Sequence, residues 1–334
     1  MLSGSISGFG YMEVLMGKMQ WLADFTRSSW QTKIMRKMLD ADKYDELRHR
    51  FYEKSYGKPI LDSATVNRQL LEKLKNGEPF AVTRNGMWET GILAKIQRDI
   101  LWNKDTAAGM DDAFADREER IRYYDMTCEL MQYADYVVNW FSINMESYFN
   151  KQFLKKNPGM QFCEDNGVSN FLLKDPDSWI YGIEGKKVLV VSPFVEYMAK
   201  QYEKRELLWK GIRIPEFELH TVKALFWYDG YKDPRFKSWF DALDYLYTES
   251  MKQDFDIALL GCSTFSTPLA LKFRQQGKQA VHVGGPLQLM FGIKGKRWDA
   301  YFTDTYNEHW IDLPDETKVG NVDSLDMTGG SYWS

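Results

Sequence analysis

Apolar residues recur at helical spacing in the first part of the chain, at Leu15, Met19, Leu22 and Phe25, then at Met35, Met38 and Leu39, so residues 11–56 are predicted to be helical. From Lys58 to Trp298 the pattern changes, and short apolar runs alternate with amphipathic ones, as an α/β sheet requires. Strands are predicted at 79–83, 136–139, 187–191, 218–224, 256–260 and 279–283, and helices at 65–75, 90–101, 117–131, 196–208, 236–251 and 268–276. The second half is the most regular. The continuous run Val188, Leu189, Val190, Val191 reads as a strand buried on both faces, Ser192-Pro193 turns the chain, and an amphipathic helix follows. Ile257 to Leu260, entering Gly261-Cys262-Ser263-Thr264, repeats that unit, and the run from Ala280 to Val283 begins another. The expected fold is α/β, a Rossmann-like, mostly parallel sheet flanked by helices, with an N-terminal helical extension. In such sheets ligands gather beyond the strand carboxyl ends, which places Ser192, Gly261 to Thr264 and His282 to Gly285 around one crevice.

These patterns divide the chain into a helical extension over 1–57, an α/β domain over 58–299, and an irregular tail over 300–334 that Trp310 and Trp333 pin to the surface. The extension reads first as a packed cap on the domain. Its Met and Trp content, Trp21 and Trp30 included, leaves a peripheral membrane surface or a protein partner as the alternative.

Composition narrows the classes. The chain has 334 residues, 44% of them hydrophobic, enough for a large core. Its net charge of -4 argues against nucleic-acid binding, which needs a dominant positive field. Cys128, Cys163 and Cys262 form no C-x-x-C pair, and with four histidines neither a disulfide framework nor a zinc site is indicated. No signal peptide or apolar stretch long enough to span a bilayer is legible, so the expected location is cytoplasmic.

Familiar catalytic signatures are missing. There is no G-x-G-x-x-G after a first strand and no G-x-x-x-x-G-K-[ST], and Phe265 stands where a nucleophile elbow needs its second glycine. Cys262 at a strand end reads as a small buried residue rather than a nucleophile. Two segments carry candidate chemistry instead. After the strand at 279–283, Gly284-Gly285 lets the backbone approach a ligand, Gln288 follows, and Lys294, Lys296 and Arg297 supply cations suited to phosphate oxygens. The other reading of that stretch is a strand-to-helix turn followed by a solvated basic loop. Arg84, Gly86 and Glu89 place a cation, a permissive glycine and a carboxylate at another strand end, either as a ligand site or as an Arg84–Glu89 pair across a turn.

Together, Glu78-Pro79-Phe80 leading to Arg84-x-Gly86-x-x-Glu89, the strand ending in Ser192-Pro193-Phe194, and Pro215-Glu216-Phe217-Glu218-Leu219 resemble the GT-D type glycosyltransferase family. The likeness continues through Trp239 to Leu243, Phe255 to Gly261, His282-x-Gly284-Gly285-x-x-Gln288 and Phe291 to Trp298, and covers roughly Lys58 to Trp298. The resemblance implies a sugar transferase with a Rossmann-like core, using a nucleotide-sugar donor and a glycan or glycoconjugate acceptor to build surface polysaccharides or glycoproteins. It also implies Mn²⁺ or Mg²⁺ held by an Asp-x-Glu pair. Met87 stands at the Asp position and leaves Glu89, and a thioether is a poor ligand for either ion. The family pattern further expects His at Ser192 and glycines at Ser263 and Ser266, where the added side chains narrow the crevice, change the sugar accepted, or mark an inactive copy.

Sugar transfer from a diphosphate donor needs negative charge stabilised on the departing oxygens. Arg84, Lys294, Lys296 and Arg297 are expected to share that charge, with Gly86, Ser192, Gly261, Ser263, Thr264, Gly284, Gly285 and Gln288 as further donor contacts. Glu89 is the metal ligand or the acceptor for the donor sugar, and His282 either binds the donor, acts as base, or is a satisfied structural histidine. The alternatives are a non-catalytic nucleotide-sugar-binding or scaffold protein that keeps the fold, and an unrelated α/β phosphate-ester enzyme.

Overall fold

The computed structural model describes residues 8–105, 113–168, 172–228, 231–320 and 332–333. Helix α1 (Gly8–Ser29) runs through a wider π-helical turn, Trp30–Met35, into the last helical turn Arg36–Met38. Helix α2 (Ala41–Tyr56) starts at Asp40, whose side chain accepts from the Lys43 amide, and strand β1 (Ile60–Leu61) follows. Helix α3 (Ser63–Asn76), capped by Asp62, leads to β2 (Phe80–Thr83), then α4 (Met87–Trp102), α5 (Arg117–Leu130) and β3 (Tyr136–Asn139). Helix α6 (Glu146–Lys156) precedes β4 (Gln161–Glu164). The second half contributes β5 (Lys187–Ser192), α7 (Val195–Tyr202), β6 (Glu218–Lys223), and a small antiparallel pair of β7 (Trp227–Tyr228) and β8 (Tyr231–Lys232). Helix α8 (Trp239–Met251), β9 (Ile257–Leu260), α9 (Ser266–Gln275), β10 (Gln279–His282) and the short α10 (Leu287–Met290) complete the core.

Eight strands form one parallel sheet in the order β1-β4-β3-β2-β10-β9-β5-β6. The fold is therefore the α/β architecture that the alternating pattern predicts. The first four strands make one half and the later four the other, and the halves meet where Gln279, Ala280 and Val281 pair with Phe80, Ala81 and Val82. Side chains alternate across the sheet: Ala81, Val137, Leu189, Ala258 and Ala280 enter one apolar layer, and Val82, Val138, Val190, Leu259 and Val281 the other. Burial on both faces explains why these strands read as unbroken apolar runs.

The pattern misses four strands and one helix of useful length. Strand β1 has two residues, and β4 reads Gln-Phe-Cys-Glu, with half-buried polar ends that hide it. The short β7–β8 pair and helix α6 also lie outside the predicted elements. The helical run predicted at 196–208 is two helices, α7 and a separate turn at Arg205–Leu208.

Helix α1 packs on the body through Trp21, which meets Trp102 edge-on at 5.5 Å. Its far end is tied down by hydrogen bonds, because Ser28 Oγ accepts from the Met145 amide at 2.8 Å and Ser29 Oγ accepts from Asn144 Nδ2 at 3.0 Å. Beneath that loop Glu146 is buried, and its two carboxylate oxygens accept from the amides of Trp140 (2.6 Å) and Phe141 (2.9 Å). Burial pushes its pKa up to about 8 against the pull of those two amides and of Tyr52. Beyond residue 300 the described residues, 301–320 and 332–333, are held closely as well. Ile311 bridges Ile293, the Lys296 amide donates to the Trp333 carbonyl at 3.2 Å, and both Trp310 and Trp333 are buried.

Candidate functional site

The carboxyl ends of five neighbouring strands, β4, β3, β2, β10 and β9, border one cavity of about 280 Å³. Each strand delivers a wall residue just past its end. Asp165 follows β4, Trp140 follows β3, and Arg84 follows β2. His282, Gly284 and Gly285 come from β10 and Ser263 from β9, while Arg297, Trp298 and Tyr332 close the far side. Gly86 and Glu89 sit at the start of α4.

Arg84 is the most constrained of these. Its guanidinium is buried, with Nη2 2.8 Å from Asp165 Oδ1, Nη1 donating to the Val283 carbonyl, and Cζ 4.9 Å from the Trp140 ring centroid. The ion pair thus runs to Asp165, a residue from a strand that the sequence pattern hides. Among the described residues, neither Arg84 Nε nor Trp140 Nε1 finds a hydrogen-bond acceptor. Unpaired buried donors of this kind are what an oxygen-rich ligand or an ordered water satisfies.

Arg297 reaches the same cavity from its exposed rim, in a turn held by the Trp298 amide donating to the Gly295 carbonyl. Desolvation, and then the nearby Arg84 guanidinium, lowers the pKa of Arg297 from its ordinary value. An arginine remains charged under such a shift, so two cations face one space. His282 is the reverse case. Burial, followed by the charge of Arg84, holds its pKa well below 6.5, so at neutral pH the ring is uncharged. Its Nδ1 lies 3.1 Å from Thr267 Oγ1, leaving Nε2 for the cavity.

Eight of the residues nominated from the sequence meet here: Arg84, Gly86, Glu89, Ser263, His282, Gly284, Gly285 and Arg297. Six others lie outside the cavity lining, each for a visible reason. Lys294 turns away to pair with Asp312 at 3.0 Å, because its amide joins Ile311 and fixes the direction of the chain. Lys296 is exposed beyond the rim. Gln288 is buried and donates to the carbonyls of Lys294 and Tyr332, so it shapes the loop. Ser192 Oγ accepts from the Phe194 amide at the end of β5, two strands from β10. Thr264 Oγ1 accepts from Trp239 Nε1, and a Cβ on Gly261 would meet the Gly284 carbonyl at 3.0 Å, so both serve packing. Ser266 likewise does not narrow the cavity, since its hydroxyl accepts from the Cys262 amide at 3.0 Å. The Cys262 thiol is buried and pushed up to about 12, which excludes a thiolate nucleophile near neutral pH.

Met87 is 71% exposed and outside the lining, so the position at which the family resemblance expects an acid faces solvent. The cavity's carboxylates are Glu89 and Asp165, and among the described residues no group of three acidic, His or Cys side chains can hold a metal ion. Asp165 is already engaged by Arg84, and two guanidiniums stand nearby. This donor set does not fit a resident divalent cation.

Ser263 stands at φ +53°, the left-handed region that suits glycine, the residue expected there from the resemblance. Ser263→Gly is expected to raise the unfolding free energy by about 0.5–1 kcal/mol, read as an upward shift of the urea midpoint. A drop in the midpoint would show that the hydroxyl holds the loop.

Trp140, Asp165, Pro286, Trp298 and Tyr332 are lining residues that sequence reasoning missed. For Trp140 and Asp165 the available signal was position, since each comes directly after a sheet strand.

No family model matches the chain, and no curated protein does. Among solved structures it is similar to a selenomethionine-substituted structure of domain of unknown function 1792, with TM-score 0.44 and 12% identity over 84% of this chain and 92% of that one. It is also similar, with TM-score 0.39, 12% identity and the same coverage, to a structure described as showing that the highly conserved domain of unknown function 1792 has a distinct glycosyltransferase fold.

Proposed function

We propose that the chain is a glycosyltransferase whose cavity receives the diphosphate and sugar of a nucleotide-sugar donor and passes the sugar to a hydroxyl of a glycan or glycoconjugate. The observation that carries this reading is the convergence of Arg84 and Arg297 with Glu89 on one cavity beyond the carboxyl ends of parallel strands. The motif resemblance from Lys58 to Trp298 supports it independently.

In this reading the two guanidiniums take the charge that develops on the departing diphosphate, the task a metal performs elsewhere. Arg84 arrives pre-oriented by Asp165, Val283 and Trp140, so little reorganisation is needed when charge appears. Gly284 and Gly285 let backbone come close to phosphate. Glu89, at the first turn of α4, accepts from a sugar hydroxyl or takes the acceptor's proton. Neutral His282 contributes a hydrogen bond from the wall, because its lowered proton affinity makes it a weak base.

A panel of nucleotide sugars tested by thermal shift, then by donor hydrolysis and transfer with and without Mn²⁺, examines the proposal. Arg297→Ala is expected to reduce kcat/KM about a hundredfold while leaving the melting temperature nearly unchanged, since the side chain is at the rim. Glu89→Gln is expected to lower kcat more than it raises KM. Stabilisation by a donor without turnover selects the non-catalytic binder, and full activity in both variants removes these residues from the site.

A further inference from the structure

Eight of the thirteen large apolar side chains exposed among the described residues belong to the N-terminal helical segment. An ordinary cap turns its apolar face to the body, but α1 turns Trp21 and Ser28 inward, with Thr32 just beyond, and leaves Met16, Met19 and Leu22 in solvent. Past the π-helical turn the same exposure continues at Trp30, Ile34 and Met38, the last 74% exposed. Scattered exposed apolar residues are normal, whereas a continuous stripe marks an interaction surface.

The charge of that stripe identifies its partner. Residues 15–39 hold five basic residues to one acidic, in a chain whose net charge is -4. Lys33, Arg36 and Lys37 are exposed and alternate with Trp30, Ile34 and Met38. The single acid, Asp24, is engaged by Gln20 and Arg27. Adaptable Met side chains, an exposed Trp and interleaved basic residues are the composition of a helix lying in the headgroup region of an anionic bilayer. A second copy of this chain fits less well, because a two-fold interface sets the same basic stripe against itself.

We propose that the outer face of residues 15–39 docks the protein on an anionic lipid surface. The assignment is independent of the reaction in the cavity. The full chain is sedimented with vesicles of phosphatidylglycerol and phosphatidylcholine or of phosphatidylcholine alone, at 50 and 300 mM NaCl. Binding is expected to the anionic vesicles at low salt and to fall at least about tenfold at high salt or without the anionic lipid. Met19→Glu with Leu22→Glu, and separately Lys33→Glu with Lys37→Glu, are expected to weaken it at least about tenfold, with circular dichroism and melting unchanged. If either variant misfolds, slower trypsin cleavage of the wild-type chain at Lys33, Arg36 and Lys37 in the presence of anionic vesicles is the expected result. Failure of the wild-type chain to sediment with anionic vesicles at 50 mM NaCl overturns the proposal. So does unchanged binding in both folded variants, or dimerisation of the wild-type chain abolished by Met19→Glu with Leu22→Glu in place of vesicle binding.

Discussion

Replacing Arg84 by alanine is expected to abolish measurable sugar transfer and to lower the unfolding free energy by about 3 kcal/mol. The loss has several sources. Asp165, three-quarters enclosed, is left without the guanidinium 2.8 Å away, the Val283 carbonyl loses a donor, and the face of Trp140 loses its cation. Removing one member of an ion pair in a partly dry site costs more than the pair itself contributes. Arg84→Lys retains the charge but not the planar fork that serves Asp165 and Val283 at once, so it is expected to recover part of the stability and little of the activity. Urea denaturation and donor titration by calorimetry check both halves. An alanine variant with wild-type stability and donor affinity removes Arg84 from the centre of the site.

Gly284→Ala is expected to have the next largest effect, and through the same guanidinium. Gly284 has φ +75°, and a Cβ there would collide with Arg84 Nη1. The end of an arginine ordinarily yields to such a contact, but this one is fixed on three sides. Gly277 offers the comparison. It has φ +76° with nothing within 4 Å of the added carbon, so Gly277→Ala reports backbone strain alone, about 1 kcal/mol. Gly284→Ala is expected to exceed that by at least about 1 kcal/mol and to reduce donor affinity more than tenfold, whereas Gly277→Ala leaves affinity unchanged. Equal destabilisation in the two variants, with donor binding intact, shows that Arg84 moves aside freely.

The centre of the sheet was legible because its strands are buried on both faces and written as apolar runs; Ile257 to Leu260 and Tyr136 to Asn139 fall where predicted. Strand β4 was not, because half its positions are polar, and with it went Asp165, the ion-pair partner of Arg84. Arg84, His282 and Gly284 were found because they end or follow strands that the pattern shows. Lys294 and Lys296 were nominated by proximity along the chain, and proximity does not fix direction. The turn through Gly292, at φ +64°, sends Lys294 towards Asp312, and only Arg297 of that basic group returns to the cavity.

The seat of helix α1 bears on how its role is best dissected. Ser28 grips the Met145 amide, Glu146 beside it grips the amide of Trp140, and the Trp140 ring underlies Arg84. A truncation that discards everything before Asp40 therefore unfastens the buttress behind the wall that carries Arg84 along with any lipid contact. A shortened protein that is inactive says nothing by itself about membranes, and single-site changes on the outward stripe are the cleaner scalpel.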